Sequence, residues 1–331
     1  MQAIRATAPG GPEVLQLTTV ADPVPSPEQI LVRVRATALN RADTLQRAGN
    51  YPPPPGETDI LGLELAGEVE AVGSAVTGLK PGDRVCALVG SGGYAEKAVF
   101  DARMAIPIPT GWSFVQAAAV PEVFFTAQET MFTLGNLKAG ETVLIHAAAS
   151  GVGTAGIQMA REIGARIFIT AGSADKIQRC IELGATAGCN YKERDFADWV
   201  KEVTNSQGVD LIEDFIGAGY WDKNLRSLKI GGRLVLVGLM GGVKVEANLQ
   251  LIMAKRLQIF GSVLRARPLV EKIDITRRFR ERWLPLLASG RIKPIVDRVF
   301  PLAQVADAHR YMEENRNFGK IILELNFHKN H

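Results

Sequence analysis

A turn of small residues that follows a short apolar run carries the clearest chemical signal in the chain. Residues 143–146 have the composition of a strand, and residues 147–153 lead from it into a helical stretch over residues 154–160. Small side chains at a strand-to-helix turn let the backbone approach a pyrophosphate, which the N-terminus of the helix then stabilises. The sequence therefore predicts a dinucleotide site at this turn.

Two registers of the dinucleotide motif fit this turn. Gly151, Gly153 and Gly156 spell G-x-G-x-x-G, but that register begins several residues beyond the strand. We favour the register Ala148, Ser150, Gly153, in which the turn starts directly at the strand. A glycine-rich turn without a ligand is the competing interpretation.

The ribose of the cofactor should lie where the second strand of such a fold ends, at residues 170–173. That segment lacks the carboxylate that binds the ribose 2′-hydroxyl of NAD. Ser173 and Lys176 instead offer a hydroxyl and a cation, which suit the 2′-phosphate of NADP, although Asp175 offsets part of the charge. We therefore expect NADPH as the cofactor, whereas Lys176 by itself would be interpreted as an ordinary solvated lysine.

The elements that must position these residues change in type along the chain. Up to about Pro121, short β-branched runs alternate with Gly/Pro turns such as residues 80–83, which is typical of a mostly β domain. Beyond Pro121, apolar runs separated by helical stretches indicate a parallel α/β sheet. This rhythm ends near Arg265, and the strand-like run 320–323 predicts a return to the first domain. The apolar runs of the α/β segment are residues 143–145, 167–169, 211–212 and 234–237.

Composition narrows the class of protein. With 331 residues, 47% of them hydrophobic, the chain is long enough for two domains with buried cores. A net charge of +3 gives no reason to expect nucleic acid or an anionic membrane as partner. Cys86, Cys180 and Cys189 form no C-x-x-C pair, which argues against a disulfide framework and favours a reducing compartment. Because residues 1–7 lack the apolar core of a signal peptide, we expect a cytoplasmic protein.

Seven short motifs, taken in order, resemble the zeta-crystallin-like quinone oxidoreductases of the zinc-independent medium-chain dehydrogenase/reductase superfamily. The likeness extends over essentially the whole chain. It is strongest to the tumour-suppressor-inducible quinone oxidoreductase branch, through residues 39–43, the proline run after Tyr51 and the loop 239–242. The motifs are residues 38–43, 49–51, 61–64, 150–153, 170–173, 190–191 and 238–242.

The resemblance implies an α/β protein in which one domain is inserted into another. Residues 1–121 and 265–331 would form a GroES-like, mostly β catalytic domain. Residues 122–264 would form a Rossmann domain that binds NADPH. The family likeness also implies a homodimer joined through the Rossmann domains.

Zinc-dependent relatives of this family bind a catalytic metal through a cysteine and a histidine. Asn40 and Leu63 stand at those two positions here, and neither side chain can replace a thiolate or an imidazole. The four closely spaced cysteines of the relatives' structural zinc lobe are also missing, since Cys86 is the only cysteine in that region. We therefore expect no metal.

The resemblance carries the family's cofactor contacts over to this chain residue by residue. Asn40 and Tyr51 are also the expected catalytic residues, because each can donate a hydrogen bond to a carbonyl oxygen that gains charge as hydride arrives. The plain alternatives are a turn residue for Asn40 and an aromatic packed on the proline run for Tyr51. The expected cofactor contacts are Asn40, Tyr51, Thr126, Ser150, Gly151, Val152, Gly153, Gly172, Ser173, Lys176, Tyr191, Ile216, Leu239, Met240, Ser262, Val263, Leu264 and Asn317.

The expected reaction is hydride transfer from NADPH to a small quinone, which requires neither a nucleophile nor a metal. Tyr51 should position the substrate first and act as an acid second, because an ordinary phenol has a pKa of about 10. Asp43 and Glu64 are expected to be buried anchors of the site, and His146 a structural group beneath the phosphate turn.

Two other functions stay open at the level of sequence. An NADPH-dependent alkenal or enoyl reductase would use the same cofactor geometry, and no residue discriminates it. An NADPH-regulated RNA-binding or crystallin-like protein is the second alternative, since residues 265–282 contain a cluster of Arg and Lys. Glu271, Asp274 and Glu281 weaken that interpretation, and a solvated helix face explains the cluster better.

Overall fold

The first part of the chain forms short strands and few helices, because Gly/Pro turns interrupt its β-branched runs. The structure is a computed structural model and describes residues 1–325. The strands are β1 (Gln2–Ala6), β2 (Leu15–Thr19), β3 (Gln29–Ala38), β4 (Glu64–Val72), β5 (Arg84–Leu88), β6 (Lys97–Asp101) and β7 (Ile106–Pro107). The helices are α1 (Arg41–Arg47), α2 (Phe114–Ala118) and α3 (Pro121–Ala127), with 3-10 turns at Pro12–Val14 and Ala102–Met104.

Strands and helices alternate through the middle of the chain. A π-helix at Gln128–Leu134 continues directly from α3. The strands are β8 (Thr142–Ile145), β9 (Arg166–Ala171), β10 (Ala187–Asn190), β11 (Val209–Asp214), β12 (Leu228–Leu236) and β13 (Gln258–Gly261). The helices are α4 (Gly151–Glu162), α5 (Ala174–Leu183), α6 (Phe196–Val203), α7 (Trp221–Ser227) and α8 (Leu249–Lys255), with a 3-10 turn at Gly217–Tyr220.

The last part of the chain contains more helix than strand. Its elements are α9 (Leu269–Arg282), α10 (Leu284–Ala288), β14 (Val296–Pro301), a 3-10 turn (Leu302–Gln304), α11 (Val305–Glu313) and β15 (Lys320–Glu324). Across residues 1–325, every helix is too short or too polar to span a lipid bilayer.

Two compact units are formed. Unit 1 consists of Met1–Phe125 and the segment that starts at Leu264, and unit 2 is Thr126–Val263. Leu264 and residues 122–125, which the sequence rhythm and the resemblance placed in the inserted domain, therefore lie in unit 1. The contacts of neighbouring residues explain this difference: the Glu122 N–H donates to Glu64 Oε2 (2.8 Å), and Arg265 Nε donates to the carbonyl of Gly90 (2.7 Å).

Unit 2 has a six-stranded sheet in the order β10-β9-β8-β11-β12-β13, and every pairing in it is parallel. The chain runs outward from β8 to β10, then returns to β11 and runs outward in the other direction. Leu144, Phe168, Ile212 and Leu234 are fully buried, since both faces of the sheet are covered. The predicted parallel α/β sheet is confirmed, and its strand order reverses between β8 and β11, where such sheets bind their ligands.

Unit 1 has a larger sheet in the order β14-β15-β3-β4-β5-β7, with β6 also paired to β3 and a separate β1-β2 pair. The C-terminal strand β15 runs antiparallel to β3, with Ile322 opposite Ala38. In its core, Phe279 of α9 packs against Phe125, with ring centroids 4.8 Å apart. The C-terminal segment thus completes the fold of the N-terminal one.

Candidate functional site

The residues predicted to hold the cofactor in unit 2 gather at one edge of its sheet. All six strands are parallel, so the loops after their carboxyl ends lie on the same side. Thr126 is the exception, because it is buried in α3 instead of following a strand. The others follow β8 (Ser150, Gly151, Val152, Gly153), β9 (Gly172, Ser173, Lys176), β10 (Tyr191), β11 (Ile216), β12 (Leu239, Met240) and β13 (Ser262, Val263).

The turn between β8 and α4 is tight and partly strained. Ala147 has a positive φ of 47°, which L-residues rarely adopt. Ser150 caps α4, since its Oγ accepts the N–H of Gly153 at 3.1 Å. A Cβ on Gly153 would lie 2.5 Å from the Cα of Ala148, so only glycine fits there. This contact favours the register Ala148, Ser150, Gly153, and it leaves the N–H groups at the start of α4 available to an anion.

The turn after β9 combines a hydroxyl with two lysines. Ser173 caps α5 by accepting the N–H of Lys176 on its Oγ (3.3 Å). A Cβ on Gly172 would lie 2.9 Å from the hydroxyl oxygen of Tyr191 and 3.2 Å from Cε of Lys192. Lys192 was not selected from the sequence as a candidate binding residue. Its position directly after the third strand of the sheet was the available signal.

The loops after β11 and β12 support each other. Asp214, the last residue of β11, accepts the N–H groups of Ile216 (2.8 Å) and Gly217 (3.0 Å). The Gly241 N–H donates to the carbonyl of Ile216 at 2.7 Å, so the segment that carries Leu239 is bound to the loop after β11. These contacts fix the backbone on which Ile216 and Leu239 are presented.

His146, at the end of β8, is a buried structural group. Its Nδ1 lies 2.9 Å from Thr170 Oγ1 and its Nε2 lies 2.8 Å from Asn224 Oδ1. Burial lowers the pKa of its imidazole to about 4, so the ring is neutral at physiological pH. These contacts agree with the interpretation of His146 as a support for the turn, and they leave neither ring nitrogen for catalysis.

In unit 1, Asn40 belongs to a buried network of charged groups. Its Nδ2 donates to Glu64 Oε1 (2.9 Å), and its Oδ1 accepts a hydrogen bond from Lys320 Nζ (2.7 Å). Lys320 Nζ also donates to Glu64 Oε1 (2.7 Å). Both ends of the Asn40 amide are therefore held by charged partners, which fixes its orientation.

Asp43 and Glu64 are the buried anchors that the sequence predicts. Asp43 accepts the N–H groups of Asn40 (2.8 Å) and Gly62 (3.2 Å), which ties the start of α1 to the loop before β4. Lys320 completes the network and was missed by sequence reasoning. The available signal was a lysine at the head of an otherwise apolar strand, a position where a buried cation needs an acidic partner.

Tyr51 lies against Arg265, whose guanidinium carbon is 5.1 Å from the centroid of the phenol ring. Arg265 Nη1 also donates to the backbone carbonyl of Tyr51 (3.3 Å). Within residues 1–325, no hydrogen bond involves the Tyr51 hydroxyl. Burial, reinforced by the charge of Glu122, raises the pKa of Tyr51, so its hydroxyl is a hydrogen-bond donor and a poor acid.

The last two predicted cofactor contacts in unit 1 are Asn317 and Leu264. Asn317 Nδ2 donates to the carbonyl of Gly319 (2.8 Å), within the turn that leads into β15. Leu264 is buried. No contact of either side chain in the described part of the chain assigns it to a ligand, and their roles stay predictions.

The positions of the relatives' zinc ligands are filled by groups that do not bind zinc. The Asn40 amide is hydrogen-bonded to Glu64 and Lys320, and Leu63 has a buried hydrocarbon side chain. In the described residues, no three His, Cys, Asp or Glu side chains are grouped to hold a metal ion.

Comparison with known proteins gives matches over nearly the whole chain. Two family models match: "Alcohol dehydrogenase GroES-like domain" over residues 26–110 and "Zinc-binding dehydrogenase" over residues 151–279. The quinone oxidoreductase of Rattus norvegicus is 35% identical, and the alignment covers 98% of each chain. These matches confirm the predicted combination of a GroES-like and a Rossmann domain.

Solved structures show the same fold. The quinone oxidoreductase of Escherichia coli complexed with NADPH superposes with a TM-score of 0.90 at 32% identity, over 98% of this chain and 100% of that one. The JamJ enoyl reductase superposes with a TM-score of 0.89 over 98% of this chain and 99% of that one. Because the two sequences are only 24% identical, this match supports the fold and not the function.

Proposed function

The chain belongs to the zinc-independent quinone oxidoreductases of the medium-chain dehydrogenase/reductase superfamily, and from that premise we propose that this NADPH-dependent oxidoreductase reduces a small quinone. The observation that carries the proposal is the composition of the network around Asn40, where an amide stands at the position of one metal ligand of the relatives and an ammonium group binds that amide. A site without a Lewis acid suits an acceptor that is already electron-poor, and a quinone is such an acceptor.

We propose that NADPH binds at the carboxyl edge of the unit 2 sheet, and the residues there fit it. The glycine-only contact at Gly153 lets the backbone approach the pyrophosphate at the start of α4. Ser173 caps α5, Lys176 lies in the first turn of that helix and Lys192 borders Gly172, so the two lysines suit a dianionic 2′-phosphate. When bound, NADPH supplies the hydride. The remaining predicted contacts are proposed to line the rest of the cofactor.

We propose that Asn40 and Tyr51 face the substrate. The network around Asn40 holds its amide in one orientation, so the amide can act as a fixed polar group without reorganising. The Tyr51 hydroxyl has its hydrogen-bonding capacity available in the described structure and is proposed to donate to a quinone oxygen. In this assignment both residues position the substrate, and neither gives up a proton.

The RNA-binding alternative loses its main support. Arg277 pairs with Asp274 (2.5 Å) and Glu281 (2.9 Å), and Arg278 pairs with Asp274 (2.9 Å). Arg265 is buried. Two arginines of the segment 265–282 are thus paired with acids of their own helix and a third is buried, which argues against a phosphate-binding face.

We also propose a homodimer formed through unit 2. Strand β13 is an edge strand paired only to β12 among the described strands. An open edge with apolar neighbours is a surface on which a second copy can pair. Exposed apolar side chains nearby in sequence include Val243, Leu249 and Met253, which are 73%, 65% and 76% exposed. A cytoplasmic location stays a prediction. Cys86, Cys180 and Cys189 are unpaired thiols in the structure.

The test is NADPH oxidation by the purified protein with a panel of ortho-quinones, para-quinones and 2-alkenals. We expect saturable oxidation with at least one quinone and slower oxidation with the alkenals. Faster turnover of an alkenal would move the assignment to an alkenal or enoyl reductase. If no member of the panel is reduced although NADPH binds, the proposed reaction is wrong.

A further inference from the structure

The loop that carries Tyr51 has few ways to be held in place. It connects α1 to β4, and residues 52–55 are consecutive prolines. Proline has no backbone N–H, so this run cannot donate hydrogen bonds to the rest of unit 1. Contacts to the carbonyl oxygens and side chains of the loop therefore have to position it.

Arg265 makes such contacts with Tyr51. Its Nη1 donates to the carbonyl oxygen of Tyr51 (3.3 Å), and its guanidinium carbon lies 5.1 Å from the centroid of the phenol ring. Among residues 1–325, every hydrogen bond and ring contact of Tyr51 is made with Arg265. One guanidinium group thus holds both the backbone and the ring of Tyr51.

Arg265 is itself fixed by two other parts of unit 1. Its Nε donates to the carbonyl of Gly90, which follows β5, and its Nη2 donates to Gln46 Oε1 on α1, both at 2.7 Å. Arginine has donors on three nitrogens in one rigid plane, so it can bind these two groups and Tyr51 at the same time. A lysine would carry the same charge without this geometry.

The burial of Arg265 is costly for the folded protein. The residue is only 6% exposed, and no carboxylate among residues 1–325 forms an ion pair with its guanidinium group. Carbonyl groups and the face of an aromatic ring compensate for a buried charge only in part. Stability alone gives no reason to place a cation there, whereas the need to orient Tyr51 does.

Building on the proposed function, we propose that Arg265 is a positioning residue that directs the Tyr51 hydroxyl at the quinone oxygen. A donor assists hydride transfer only if it points at the oxygen on which charge develops. Because Arg265 fixes the backbone and the ring of Tyr51 together, the hydroxyl is oriented before the substrate binds. In this assignment Arg265 acts through Tyr51 and does not touch the substrate.

The test is a double-mutant cycle on kcat/KM for 9,10-phenanthrenequinone at saturating NADPH, with wild type, Arg265→Lys, Tyr51→Phe and the double variant. We expect Arg265→Lys alone to lower kcat/KM about tenfold or more, because lysine keeps the charge and loses the directed contacts. In the Tyr51→Phe background the same change should lower kcat/KM less than about twofold, since no hydroxyl remains to be oriented. A role in stability alone would act equally in both backgrounds.

Arg84→Lys is the matched control. The guanidinium carbon of Arg84 lies 4.5 Å from the centroid of the Phe114 ring, and its Nη2 donates to the carbonyl of Trp112 (2.6 Å). The variant therefore disturbs the same two kinds of contact in the same unit without involving Tyr51. It should change kcat/KM by less than about twofold in either background.

A second variant keeps the test decisive if Arg265→Lys folds poorly. Gln46→Met removes the acceptor of Arg265 Nη2, so it should lower kcat/KM about threefold, and this loss should disappear in the Tyr51→Phe background. Equal losses in both backgrounds, or no loss in either, overturn the proposal. Wild-type kcat/KM in Tyr51→Phe alone overturns it together with the proposed role of Tyr51. Failure of the wild type to reduce any quinone would instead reject the proposed function.

Discussion

At the scale of single residues, the proposed selectivity for NADPH depends on the turn after β9. Ser173 both caps α5 and faces the turn, and Gly172 leaves space that Tyr191 and Lys192 border. No carboxylate ends β9, so we expect a 2′-phosphate to meet hydroxyl and ammonium groups there, with Asp175 in the first turn of α5 offsetting part of that charge. Selectivity for NADPH should therefore depend on cations that NADH does not engage.

Replacing Lys176 by alanine should raise KM for NADPH about tenfold or more, because a hydrogen bond to a charged group contributes roughly 1.5–3 kcal/mol. KM for NADH should change by less than about twofold, since NADH has no 2′-phosphate. Steady-state kinetics with both cofactors measure this, and Lys201→Ala, on the exposed face of α6, is the control. Equal increases for the two cofactors would show that Lys176 does not contact the phosphate.

At the scale of elements, β11 carries an uncompensated acid into the core of unit 2. Glu213 is fully buried, and its Oε1 accepts the hydroxyl of Thr130 (2.5 Å) from the π-helix. Its Oε2 has no hydrogen-bond partner among the described residues. Burial raises the pKa of Glu213 from 4.5 to about 8, so the folded protein holds it as a neutral acid.

This shift makes the free energy of unfolding depend on pH. The pKa is higher in the folded chain than in the unfolded one, so the stabilising effect of the bound proton is complete below about pH 4.5 and is lost as the pH rises through about 8. Glu213→Gln does not titrate. Relative to wild type, it should gain about 3 kcal/mol of unfolding free energy between pH 5 and pH 8.

Urea unfolding at both pH values measures the difference, in which all other titrating groups cancel. Glu182→Gln, on the exposed face of α5, should follow wild type. A difference between wild type and Glu213→Gln that stays constant with pH would mean that Glu213 is not protonated in the folded state.

At the scale of the whole molecule, the proposed homodimer would cover the β13 edge of the unit 2 sheet. Helix α8 and the loop before it leave several apolar side chains exposed, with Met253 at 76%. A charge at the centre of a buried interface is costly, because it loses its hydration without gaining a counter-charge.

Met253→Asp should therefore convert a dimer into a monomer, which light scattering after size-exclusion chromatography would detect as a halved mass. Val24→Asp, at an equally exposed apolar position in unit 1 (83%), should leave the mass unchanged. A wild-type mass of one chain would contradict the homodimer directly.

The local pattern of the chain was enough to predict the cofactor edge. Parallel strands must be connected by helices, and their carboxyl ends must meet at one edge, so the loops at Ser150 and Ser173 could be placed together without knowing any contact, whereas Tyr191 was predicted from the family resemblance. The missing carboxylate after β9 is likewise a property of a few adjacent residues. Such features depend on residues that are close in sequence. The hydrophobic periodicity and the composition of the turns are therefore enough to predict them.

Only the tertiary structure decided the chemistry of the network around Asn40 in unit 1. Lys320 lies 256 positions from Glu64 in the chain, and it reaches Glu64 because β15 pairs with β3. Hydropathy shows that a charged residue will be buried or exposed, but it does not identify the partner that will meet it.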